Sequence, residues 1–161
     1  MSNPRALANQ KLYHARILID AWQDALQAQQ IASSTLQQAF GLAICDYLAG
    51  AYGWFLLEIA QPPEMPAAPP RRCADLPAVA QGRVVPPEIL EFQQLEGEAW
   101  LAQILDPVFG PAAASPAGLP MKSPSNLALV SEQGFSPGEA ERWHARLGDL
   151  FERMSDSLDE Y

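Results

Sequence analysis

Residues 39–60 read AFGLAICDYLAGAYGWFLLEIA, 22 positions of which only Asp46 and Glu58 are charged, and their reading decides the fold. A run of this length meets the first requirement of a membrane span, about 20 mostly apolar residues. Against that, a mid-bilayer carboxylate costs about 2.5–3.5 kcal/mol on insertion scales. The stretch also carries Gly41, Gly50, Gly53, Tyr47 and Tyr52 in place of a leucine-rich run, and no basic cluster flanks it. It is read as a central helix, buried on most sides by its neighbours. Gly41, Cys45, Ala49 and Gly53 recur on it at four-residue steps. Such a ridge of small side chains would seat helix one, or a partner subunit, at close range.

Upstream, Asn3-Pro4 pairs an N-cap with a proline at the first helical position, where the missing N–H costs nothing. Leu12, Ala15, Ile19, Trp22 and Leu26 then recur at three- and four-residue steps, predicting a helix to about Gln30. Ser33, Ser34 and Thr35 supply the next cap, and Ser34 with Gln37 has the spacing of a capping box. So short a break forces the two helices antiparallel, a helical hairpin over residues 4–60.

Downstream the prolines take over. The chain has 15, at position 4 and otherwise only from 62 to 137. Eight fall in residues 61–87, including three adjacent pairs, so this is a connector with at most one helical turn after Cys73. Pro87 and Glu88 open a third helix with Ile89, Leu90, Leu95, Leu101, Ile104, Leu105 and Val108 on its apolar face. Gly97 predicts a kink or break in it, and its acidic surface reads as a solvated face. Residues 111–124 form a second Ala/Pro/Ser/Gly connector, and Leu127 to Val130 a short apolar run. Ser136-Pro137-Gly138-Glu139 is the strongest cap signal in the chain. Trp143, Leu147, Leu150, Met154 and Leu158 follow it on one helical face.

The expected architecture is all-α: a single helical domain over residues 1–161, a bundle of about four helices, with Pro-rich connectors at 61–87 and 111–124. Its 161 residues carry 19 acids against 10 bases, a net charge of −9. That balance argues against a broad nucleic-acid face or an anionic-membrane face. Residues 1–11 lack the basic-then-apolar pattern of a secretory signal, and Cys45 and Cys73 form no disulfide or zinc framework. A cytoplasmic protein with reduced thiols is expected.

Chemical motifs are missing from the string. It contains no phosphate-binding loop, no GxGxxG, HExxH or GxSxG, no Ca²⁺ loop and no Cys/His cluster at zinc spacing. No cofactor and no metal site is expected. The two histidines share one local pattern: Tyr13-His14-Ala15-Arg16-Ile17 and Trp143-His144-Ala145-Arg146-Leu147. If the first and last helices are neighbours, His14, Arg16, His144 and Arg146 could converge on one polar seam. Asp46, opposite about residue 19 in the hairpin, would orient Arg16. Such a seam suits a small anion or an open metal site. The plainer alternative is ordinary ion pairs and histidines beside the core. Trp22, Trp100 and Trp143 read as core, and Trp54 as a cap on the buried helix.

Three strings taken together resemble a known family: Asn9-Gln10-Lys11-Leu12-Tyr13 with Trp22 downstream, Trp100-Leu101-Ala102-Gln103-Ile104-Leu105, and Arg142-Trp143-His144. They are similar to a small family of pseudomonad-type, gammaproteobacterial helical proteins with no assigned activity. His14 departs from that pattern, where an aromatic follows the tyrosine. The resemblance implies a bacterial helical protein and assigns no catalytic residue. Two readings of function follow. The first is a non-catalytic bundle that pairs with a protein partner or with itself, without nucleic acid or membrane. The second is a small-molecule, anion or metal-binding protein, with an enzyme as one form of it, using the His/Arg/Asp seam.

Overall fold

The computed structural model describes residues 3–78, 82–107 and 135–160, and these contain helices, one 3-10 turn and no strand. Helix α1 spans Pro4–Ala28, α2 Ser33–Ala60, α3 Pro87–Leu95, α4 Ala99–Leu105 and α5 Pro137–Asp159. The expected second connector at 111–124 and the apolar run 127–130 lie outside the described residues.

Helix α2 is the centre of the bundle. Ile44, Cys45, Leu48, Ala51, Tyr52, Leu56 and Leu57 are fully buried along it, and α1, α3, α4 and α5 all pack against it. Among the described residues it is the one helix long and apolar enough to cross a membrane, with 61% of its most apolar window buried inside the protein. Helix α1 lies beside it as the antiparallel arm of the hairpin, burying Ala8, Leu12, Ala15, Ile19 and Trp22. Their spacing is the apolar stripe visible in the sequence. Asn3 caps α1 as expected, its side-chain oxygen accepting from Arg5 N at 2.9 Å.

The start of α2 differs from the expected capping box. Its N-cap is Ala32, which has no side-chain cap. Gln37 does not reach back; its amide donates to the Phe135 carbonyl at 3.0 Å, just before α5. A long-range partner replaces the local one. Ser136 does cap α5, accepting from Glu139 N at 3.3 Å. The Glu139 carboxylate turns to Arg142 instead of completing the box.

The third helix of the sequence reading is two helices. Glu96, Gly97 and Glu98 separate α3 from α4, and α4 ends at Leu105, before Pro107. The break has a use, because it turns the Glu96 carboxylate inward. Glu96 Oε1 accepts from the buried Tyr52 hydroxyl at 2.6 Å and from Cys73 N at 2.8 Å. One carboxylate thus ties α2, the connector and the α3–α4 corner. Cys73–Asp75 forms a 3-10 turn in the connector.

The connector also explains part of the small-residue ridge. A Cβ placed on Gly53 would lie 2.1 Å from Pro70 O and 2.9 Å from Pro69 Cβ. The close approach expected for a helix or a partner subunit is made at Gly53 by the chain's own Pro69-Pro70. Gly41, Cys45 and Ala49 are buried above it.

Ion pairs hold α5 on both flanks. Toward α1, Glu141 accepts from Arg16 at 3.0 Å and Asp159 from Arg5 at 3.0 Å. Toward α3 and α4, Arg153 reaches Glu91, Arg146 reaches Glu98 and Ser157 donates to Glu88. The acidic surface of the third helix is therefore not simply solvated: it is the partner of α5's arginines. These pairs are exposed and contribute little individually. Their number fixes the register of α5, whose apolar stripe packs by ring contact, with Phe151 stacked 4.2 Å from Phe55.

Candidate functional site

The five residues of the expected polar seam do not converge on one site: Arg16 and His144 both lie at the α1–α5 contact beside Glu141, and the others go elsewhere. His14 turns to α2, its ring edge-on to Tyr47 at 5.2 Å. Arg16 turns to α5, where it meets Glu141, with Asp20 of its own helix 3.3 Å away. Two residues on an α-helix are about 200° apart, so His14 and Arg16 diverge of necessity. The same holds on α5. His144 Nε2 lies 2.9 Å from the Leu12 carbonyl of α1, while Arg146 turns to α4, pairing with Glu98 and lying 4.5 Å above the Trp100 ring. Asp46 has no ion pair with Arg16; it is exposed on α2, and both carboxylate partners of Arg16 lie elsewhere. Among the described residues no three His, Cys, Asp or Glu side chains converge to hold a metal ion.

Neither thiol is set up as a nucleophile. Cys45 and Cys73 are free and buried, and burial pushes each up to about 12. Burial also drives the Tyr52 phenol well above its ordinary value, so it stays a proton donor to Glu96. This cluster is a structural tie. No spacing announced it, since Tyr52, Cys73 and Glu96 come from three segments.

Two surface features lie on or beside α1. The first is on the outward side of α1, where Tyr13 and Ile17 stand one turn apart, 66% and 48% exposed. The second is a groove of about 450 Å³ between α1, the middle of α2 and connector residues 67–71. Lys11, Asp46 and Arg71 supply its charges, and Trp54, Leu7 and Pro69 its apolar wall. Trp54, expected to cap the buried helix, lines this groove. Trp22 and Trp143 lie in the core, whereas Trp100 is only partly buried and donates its indole N–H to Glu98 at 2.8 Å.

Fold and surface together define an all-helical bundle organised around one apolar central helix, with Arg5, Arg16, Arg146 and Arg153 paired to carboxylates of neighbouring helices. Over residues 1–161 the chain belongs to a family of unknown function, DUF6586. Comparison with curated proteins and with solved structures gives no match.

Proposed function

We propose that this protein is a non-catalytic helical bundle that acts by association, its partner a second copy of the same chain. Tyr13 and Ile17 carry this reading. Scattered exposed apolar residues are ordinary on a protein surface. Here a half-exposed isoleucine and a largely exposed tyrosine adjoin on one helix, opposite the stripe that packs the core. An amphipathic helix with one buried face normally presents polar side chains there.

The face suits a two-fold contact. Antiparallel pairing about an axis level with residue 15 sets Tyr13 of one copy against Ile17 of the other, and Gln10 against Asp20. The two copies of Asp20 then stand about 15 Å apart along the helices, so no like charges face each other. Against catalysis stand two buried thiols pushed up to about 12 and arginines on α1 and α5 that are each held by a carboxylate. Unpaired thiols suit a reducing, cytoplasmic setting. The burial of α2 supports its reading as a core helix, not a membrane anchor.

Cross-linking tests the contact and its direction. Gln10→Cys and Asp20→Cys variants are mixed and mildly oxidised, and products are read by non-reducing mass spectrometry. The mixed disulfide is expected to exceed either self-linked product, since those pairs stand too far apart to bridge. A random distribution of the three products, or none at all, overturns the reading.

A further inference from the structure

The groove between α1, α2 and the connector has the volume of a small-molecule site, about 450 Å³ against a usual range of about 300–1,000 Å³. Its two cationic side chains are held in place yet have no carboxylate partner among the described residues. Lys11 lies along α2 at Gly50, where an added Cβ would be 3.6 Å from its Cδ, and its Nζ sits 5.3 Å from the Tyr47 ring centre. Arg71 is anchored through Nε, which donates to the Leu105 carbonyl at 2.7 Å. Its terminal nitrogens have no carboxylate partner among the described residues, and neither has Lys11. Asp46, one turn before Gly50, has no ion pair or hydrogen bond among the described residues either. Every arginine of α1 and α5, by contrast, has its carboxylate.

A bare anion in this groove would meet Asp46, and a bare cation would meet Lys11 and Arg71. A molecule carrying both charges satisfies all three. The wall beside them, Trp54 with Leu7, Ala49 and Pro69, is apolar. We propose that the groove binds a small zwitterion with an apolar body, of the class of apolar α-amino acids. Its carboxylate lies between Lys11 and Arg71, its ammonium on Asp46 and its side chain against Trp54. Tyr13 and Ile17 do not line the groove, so its occupancy does not rest on them; Gln10 is the groove-lining residue that the proposed pairing also uses.

The test is calorimetric titration of the full chain with L-phenylalanine, L-leucine and L-tryptophan. As controls, 3-phenylpropanoate lacks the ammonium and 2-phenylethylamine lacks the carboxylate. At least one amino acid is expected to bind saturably, and tighter than either control. Asp46→Asn should weaken that amino acid about tenfold or more without weakening 3-phenylpropanoate; Lys11→Met should weaken both. Both positions lack ion-pair partners, so thermal melting should show intact folds. A Tyr13→Asp/Ile17→Asp variant should bind as wild type does. Absence of saturable binding by all three amino acids overturns the proposal. So does equal affinity for a single-charge control, or affinity unchanged in both groove variants.

Discussion

The Tyr52 hydroxyl donates to Glu96 Oε1 at 2.6 Å, joining the middle of the central helix to the corner between α3 and α4. Since Cys73 N donates to the same oxygen, the Pro-rich connector is tied into that joint. Tyr52→Phe should cost about 1.5–3 kcal/mol, the range for a hydrogen bond to a charged group. Glu96→Ala should cost more, because it strands both the Tyr52 hydroxyl and the Cys73 N–H. Urea denaturation of both variants checks the order; equal and negligible losses would show that the joint does not hold the fold.

Gly53 is where the connector meets α2 most closely. Even Gly53→Ala puts a methyl 2.1 Å from Pro70 O, a backbone atom that cannot rotate away. The expected loss is about 1–3 kcal/mol by overpacking, and Gly53→Leu should lose at least as much. An unchanged denaturation midpoint in Gly53→Ala would mean that residues 69–70 do not rest on α2.

Acid should loosen α5. Hydrogen bonds from Arg16 and Gln23 hold Glu141 below its ordinary value of 4.5, and a hydrogen bond from Arg5 holds Asp159 below 3.8. A depressed carboxylate contributes stability that is present above its unfolded value and lost as pH falls through its folded value. Arg5→Met and Arg16→Met should therefore be less stable than wild type at pH 7, with the gap closing below about pH 4. Both carboxylates are exposed, so salt should also narrow it. Denaturant curves at pH 7 and pH 3 check this; a gap as wide at pH 3 as at pH 7 would assign the loss to packing.

With burial holding Cys45 and Cys73 up to about 12, neither thiol should react with an aromatic disulfide reagent at pH 8 in the folded protein. Both should react at once in denaturant. Fast labelling of either thiol without denaturant would contradict the burial described here.

Much of the fold could be read in advance because its signals are local. The stripe from Leu12 to Leu26, the caps at Asn3 and Ser136 and the break at Gly97 each rest on neighbouring residues. The capping box at Ser34 failed because the helix starts earlier, with Ala32 at its cap, and Gln37 turns to a distant carbonyl. The ridge through Gly53 announced a close approach, but nothing in its spacing named Pro70 as the visitor. His14 and Arg16, like His144 and Arg146, diverge for a geometric reason already present in the string, since side chains two residues apart point to opposite sides of a helix. Lys11, Asp46 and Arg71 come together only through tertiary contacts, and no pattern in the sequence links them.

The central claim is that two copies pair through the outward face of α1, and sedimentation equilibrium over a wide concentration range tests it most directly. Wild-type protein is expected to move from 17.6 kDa toward twice that mass as concentration rises. Tyr13→Asp/Ile17→Asp, which alters only exposed side chains, is expected to stay at the single-chain mass with its helical circular dichroism unchanged. A wild-type chain that remains at 17.6 kDa throughout, or a double variant that still doubles, would contradict the account.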